Sequence, residues 1–261
     1  MAERFLPDGV ERPDFYLAAM GRSGSTMICN WLTDPPEQLV FSEPFFLQPR
    51  NPRLLRIQLA NFGMAIPDQE WAAEDTCARA RFERLMAPRL RGLRWGVKEV
   101  LASEHGRCIE QLAPRRVLIS VRHIGDVALS FFEKHRTQRN LDRFSDEWVV
   151  NYCLREAKAL VELREQLREA SVPHQVIRYE DFIGSDVSRE GLADFLGWRG
   201  GGPTDRHLEE FDRGFEVERH GPSICSLSRA RGERGLDASQ LAAASFIEEN
   251  CSEYQQAFGY S

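Results

Sequence analysis

Apolar residues follow two patterns along this chain. Short, largely apolar runs cover Phe15–Met20, Leu39–Ser42, Trp95–Lys98, Arg116–Val121 and Gln175–Tyr179. Runs of that length read as strands, and runs apolar throughout as strands buried on both faces. Between them, apolar residues return every three or four positions, which predicts helices near 25–33, 53–63, 69–91, 104–112, 124–137, 145–170, 186–196 and 238–257. Gln69–Arg91 and Asp146–Glu169 are rich in the good helix formers Ala, Leu, Glu and Arg, so most of their charges read as solvated faces. Strands alternating with helices imply right-handed crossovers. The expected fold class is α/β: a P-loop-like, mostly parallel sheet with helices on both faces, in a single domain. Trp198-Arg199-Gly200-Gly201-Gly202-Pro203 is the one clear low-complexity loop. It sets the core, 1–198, apart from a C-terminal segment, 199–261, which holds the polar, turn-rich stretch 219–236 and is expected to complete the same domain.

The first strand leads into the most informative stretch. After Met20 come Gly21, Arg22, Ser23, Gly24, Ser25 and Thr26, and then Met27, Ile28, Trp31 and Leu32 at helical spacing. A strand, a small-residue turn and a helix N-terminus make an anion site, because amides converge where the helix dipole is positive. The nucleotide-triphosphate version of such a loop needs a lysine before its last hydroxyl residue. Gly24 is followed by Ser25 and Thr26, so that lysine is absent, and Arg22 is the only formal positive charge in the loop. The loop suits a phosphate that carries something other than a triphosphate tail.

Residues 116–132 repeat the arrangement. An apolar strand runs into a polar turn and then a helix, with Arg122 at the strand end. Ser130 lies eight residues on, about two helical turns in, where its hydroxyl can face the same crevice. Parallel sheets bind ligands at the carboxyl ends of their strands, so Arg122 and the Gly21–Thr26 loop belong on one edge. The expected ligand carries two separated anionic groups.

Net charge is −6, with 34 basic and 40 acidic residues intermixed, which argues against nonspecific nucleic-acid or anionic-membrane binding. No run approaches the roughly 18 apolar residues of a membrane span, and a cytoplasmic protein is expected. The six cysteines are scattered without a Cys-x-x-Cys pair and read as buried free thiols. The six histidines show no metal-ligand spacing, so no metal site is expected.

The paired motifs resemble those of sulfotransferases that use PAPS (3′-phosphoadenosine 5′-phosphosulfate). The resemblance implies that Arg22, Ser23, Gly24, Ser25 and Thr26 bind the 5′-phosphosulfate, and that Arg122 and Ser130 bind the 3′-phosphate. Arg178-Tyr179-Glu180-Asp181-Phe182 is similar to a family segment whose tyrosine, here Tyr179, contacts the adenine. These matches span roughly 14–185. The Arg-Ser-Gly-Ser loop, the following Glu43-Pro44 pair and the ending Cys251 to Phe258-Gly259-Tyr260 look like the branch acting on carbohydrates. The cytosolic branch that sulfonates phenols and steroids has a loop lysine, where Arg22 stands here. It also has a histidine two residues after a second lysine, where Lys98 is followed by Glu99 and Val100. That branch's C-terminal Arg-Lys-Gly signature is missing, with only Arg229 and Arg231 as stand-ins.

The resemblance implies sulfuryl transfer from PAPS, leaving 3′,5′-ADP, to a hydroxyl of a carbohydrate or glycosylated small molecule, without a metal. Arg22 and the loop amides suit the transferring oxygens and the leaving phosphate, since a planar guanidinium can hold two oxygens at once. Glu43, at the end of the second strand, is the candidate general base. Its neighbours Phe41, Phe45 and Phe46 are expected to raise its pKa toward the operating pH. Lys98 and Glu99, at another strand end, are expected to line the cleft. His123 is discounted as a base because it points away from Arg122. Arg50, Arg53, Arg56 and Trp71 suit a polar acceptor. Two other readings stay open: a P-loop small-molecule kinase, which would need ATP and Mg²⁺, and a noncatalytic nucleotide-binding protein.

Overall fold

The structure, a computed structural model, describes residues 5–48, 52–72, 75, 77–137, 145–202 and 236–260. Its strands are β1 (Phe15–Ala19), β2 (Gln38–Ser42), β3 (Arg94–Glu99), β4 (Arg116–Val121) and β5 (His174–Arg178). The helices are α1 (Ser25–Leu32), α2 (Pro52–Asn61), α3 (Asp68–Ala72), α4 (Ala78–Leu85), α5 (Ala87–Leu90) and α6 (Ala102–Leu112). They continue with α7 (Ile124–Thr137), α8 (Asp146–Glu169), α9 (Tyr179–Gly184), α10 (Asp186–Leu196), α11 (Ala238–Asn250) and α12 (Ser252–Phe258). The five strands form one sheet in the order β2-β3-β1-β4-β5, and every neighbouring pair is parallel.

Strand alternation divides the core into two layers. Tyr16, Ala18 and Met20 face a large layer that also takes up residues of α6, α7, α8, α11 and α12. Phe15, Leu17 and Ala19 face a smaller layer with Met27, Ile28 and Trp31 of α1 and with α9 and α10. This topology positions the site. The chain leaves β1 through α1 on one face, and leaves the adjacent β3 through α6 on the other. Diverging connections open a crevice at the carboxyl ends of the two strands.

The expected 69–91 helix is instead the separate helices α3, α4 and α5. Pro88, which has no N–H to bond Arg84 O, stops α4 from continuing, and the chain turns at Met86 (φ −104°, ψ −43°). The 238–257 helix divides at Cys251 (φ −109°, ψ 33°), which re-aims its last turns. Tyr179 is the first residue of α9 and not the end of β5. Cys29, Cys108, Cys153 and Cys251 are buried free thiols as expected; Cys77 is exposed, its sulfur accepting from Ala80 N at the start of α4. Cys225 lies outside the described residues. The glycine loop is seated on the body: Gly201 N and Gly202 N donate to Trp31 O at 3.1 and 2.9 Å. A Cβ on Gly200 would come within 2.0 Å of the Trp31 ring.

Candidate active site

The Gly21–Thr26 loop leaves β1 with backbone that only a tight turn requires. Arg22 has φ 68° and Gly24 φ 82°. Gly24 has a second reason to lack a side chain, since a Cβ there would fall 2.2 Å from the Tyr179 ring. Side chains from neighbouring helices hold the loop. Gly21 N donates to the Tyr152 hydroxyl at 2.8 Å, and that hydroxyl donates to Val100 O at 3.2 Å, joining the exits of β1 and β3. His105 Nδ1 lies 2.8 Å from the Tyr16 hydroxyl, and its Nε2 lies 3.1 Å from Ala19 N and 2.9 Å from Ala19 O. Burial lowers the His105 pKa to about 4, so the ring is neutral. As a neutral ring it donates from one nitrogen and accepts at the other, tying the end of β1 to α6. Ser25 and Thr26 open α1, whose first-turn N–H groups face the crevice end of the sheet.

The second expected anion site meets the first. Arg22 Nε donates to Ser130 Oγ at 3.0 Å, and Arg122 Nη1 donates to Arg22 O at 3.3 Å. The Arg122 guanidinium stacks 4.5 Å from the centre of the Tyr179 ring. Ser23, Arg22, Arg122, Ser130 and Tyr179 therefore converge from β1, β4, α7 and α9. Two of their polar atoms, Ser23 Oγ and Arg122 Nε, are buried with no hydrogen-bond partner among the described residues. Buried groups of this kind are costly unless something satisfies them. Both can donate to an anion.

Glu43 directly follows β2. Its backbone is left-handed (φ 55°), as is that of Phe45 (φ 47°), and three of the five non-glycine residues with positive φ among those described sit in this site. Such conformations persist only where the surroundings enforce them. Glu43 N donates to Lys98 O at 2.7 Å, and Phe45 N donates to the Glu99 carboxylate at 2.8 Å. Lys98 Nζ, almost wholly buried, donates to Glu43 Oε1 at 2.5 Å and to Thr26 Oγ1 at 3.2 Å. A cation thus reaches the loop from β3, although the loop has no lysine of its own.

The expected rise in the Glu43 pKa is overturned. Burial does push it upward, but the Lys98 charge and hydrogen bond, helped by Lys134 and Arg22, outweigh burial and hold it below the ordinary value. The phenylalanines beside it cannot compete with an ammonium at contact distance. Lys134 itself is lowered by burial and then by Arg22 and Lys98.

Of Lys98 and Glu99, both expected to line the cleft, Lys98 is buried and reaches Glu43 and Thr26, and Glu99 accepts from the Phe45 amide. His123 turns toward Glu248 (3.4 Å) and the Tyr260 ring, away from the crevice. Arg56 pairs with Asp68, and Trp71 lies under the Arg81 guanidinium. Arg50, Arg229 and Arg231 lie outside the described residues, as does the Arg53 side chain. Pro44, Phe45 and Phe46 wall an apolar hollow with Leu55, Phe82 and Met86 beside the Glu43 turn. Sequence reasoning missed Lys134, Tyr152 and His105. Only Lys134 left a signal, four residues beyond Ser130 and so on the same face of α7.

Among the described residues no cluster of His, Cys, Asp or Glu could hold a metal ion, and no helix is long and apolar enough to cross a membrane. No protein-family model matches the sequence, and no curated protein sequence matches it. Solved structures do. The chain is similar to sulfotransferase STF9 from Mycobacterium avium, with 13% identity and a TM-score of 0.53 over 97% of this chain and 78% of that one. A sulfotransferase from Alicyclobacillus acidocaldarius matches with 15% identity and a TM-score of 0.51 over 96% and 97%. The sulfotransferase domain of the Synechococcus PCC 7002 olefin synthase matches with 15% identity and a TM-score of 0.53 over 98% of each chain. The chain has the α/β sulfotransferase fold.

Proposed function

We propose that this protein is a PAPS-dependent sulfotransferase that moves a sulfuryl group to an acceptor hydroxyl. The observation that carries the reading is the contact between the two candidate anion sites, with Arg22 bonded to Ser130 and Arg122 bonded to the Arg22 peptide. The fold shared with sulfotransferases supports it. The orphaned donors Ser23 Oγ and Arg122 Nε fit an anionic cofactor. Arg22, Ser23, Gly24, Ser25 and Thr26 would hold the 5′-phosphosulfate, Arg122 and Ser130 the 3′-phosphate, and Tyr179 the adenine. PAPS, when bound, supplies the sulfuryl group and leaves as 3′,5′-ADP. The Arg-Ser-Gly-Ser loop and the Glu43-Pro44 pair favour a carbohydrate or glycosylated small molecule as acceptor.

In this reading Glu43 takes the proton of the acceptor hydroxyl as that oxygen becomes nucleophilic. Lys98 keeps Glu43 ionised beforehand and, bonded also to Thr26, keeps positive charge against the loop where the leaving phosphate gathers charge. Arg22 supplies a fixed donor there, since Ser130 orients its guanidinium. Arg22, Lys98 and Lys134 offset anionic charge with side chains, so chelators should leave turnover unchanged.

Calorimetry tests the reading. 3′,5′-ADP should bind without added metal, and more tightly than 5′-AMP. Arg122→Ala should cost about 2–4 kcal/mol of 3′,5′-ADP affinity, a penalty that shrinks for 5′-AMP, and Ser130→Ala near 1 kcal/mol. Binding of Mg²⁺-ATP but not 3′,5′-ADP would overturn the reading in favour of a kinase.

A further inference from the structure

β4 pairs with β5 as far as Val121, opposite Arg178, and Arg122 is the next residue. Its N–H and C=O do not go unpaired. The Tyr254 hydroxyl of α12 accepts from Arg122 N at 3.3 Å and donates to Arg122 O at 2.9 Å. One side chain thus takes both backbone bonds that a neighbouring strand would otherwise make. Tyr254 is fully buried, with its ring against Phe258, so this hydroxyl has little freedom to move. The next amide is held as well. His123 N donates to Glu180 Oε1 at 3.0 Å, and Glu180 Oε2 accepts from the Tyr260 hydroxyl at 2.7 Å. Arg178 Nη1, meanwhile, donates to Gly259 O at 2.8 Å. The turn that aims Arg122 is therefore built by the last residues of the chain.

We infer that Tyr254 is a positioning residue for recognition of the cofactor 3′-phosphate: it fixes the Arg122 backbone so that the guanidinium is presented, and Tyr260 assists through Glu180. The inference rests on the cofactor reading above. An arginine on a loose turn would lose much of its advantage to ordering entropy, whereas one on a braced turn binds a phosphate preorganised.

The test is the ratio of 3′,5′-ADP to 5′-AMP affinity, measured by calorimetry on the full chain. Tyr254→Phe keeps the ring and removes only the hydroxyl; it should weaken 3′,5′-ADP by about tenfold and leave 5′-AMP nearly unchanged. Tyr260→Phe should produce a smaller loss of the same kind, and it carries the comparison if Tyr254→Phe does not fold. Trp198→Phe, far from this turn, serves as a destabilised control that keeps the wild-type ratio. A wild-type ratio near one would overturn the 3′-phosphate reading itself. A large wild-type ratio preserved in both tyrosine variants would overturn only the positioning role.

Discussion

A carboxylate that acts as a base has to be ionised and yet able to accept a proton, and in the proposed reading Lys98 governs that balance for Glu43. The ion pair keeps Glu43 below the ordinary carboxylate range despite its partly buried position. The acid limb of the kcat/KM profile should therefore fall below that range, and the base should be fully ionised at neutral pH. Lys98→Met removes the main lowering cause and leaves burial in place, so the limb should move to higher pH; an unmoved limb would separate Glu43 from the ionisation. Glu43→Gln should cut turnover by about 10²–10⁴ while 3′,5′-ADP affinity stays nearly constant. If turnover survives, Glu43 is not the base. The same linkage reaches stability. A carboxylate with a depressed folded-state pKa contributes stability above its unfolded pKa and loses it as pH falls through the folded value, leaving Lys98 buried without its counter-charge.

At the scale of elements, the β1–α1 turn is shaped by α9 as well as by its own glycines. Gly24 needs positive φ and also space, because Tyr179 occupies the position of a Cβ. Gly24→Ala should lower the melting temperature and weaken 3′,5′-ADP binding together, as the Tyr179 ring is pushed off its place under Arg122. Gly92 also has positive φ (74°) but nothing within 4 Å. Gly92→Ala should therefore show the backbone cost alone, about 1 kcal/mol, with binding intact. Equal binding losses in the two variants would mean that the Tyr179 contact does not matter. The strand runs and the two strand–turn–helix motifs were legible from local pattern, since a parallel sheet buried on both faces imposes apolar strands. The break at Pro88 was not, because the strong helical composition of 69–91 masked it. The helical start at Tyr179 was not, because the apolar run continues through it.

Across the whole molecule, the end of the sheet opposite the site is tied by Trp198. Its Nε1 donates to Asp14 Oδ2 at 2.8 Å and its ring meets Phe15 edge-on, linking the chain after α10 to the entrance of β1. Trp198→Phe should cost about 1–3 kcal/mol in chemical denaturation and leave ligand affinity unchanged, because the loss falls at the far end of the strands. A fall in affinity would show that the two ends are coupled. The sequence by itself determined the α/β class, the five strands, both strand–turn–helix motifs, and Arg22, Arg122, Ser130 and Glu43 as candidates. Each of these is written in residues a few positions apart, through apolar runs, turn glycines and helical spacing. Only the tertiary structure decided that Lys98 pairs with Glu43 and reverses its expected pKa shift, that Ser130 orients Arg22, and that Tyr152, His105 and Tyr254 brace the turns. Those contacts join residues 55 to 132 positions apart. They depend on which helix lies over which strand end, a packing outcome of the whole core that no local pattern encodes.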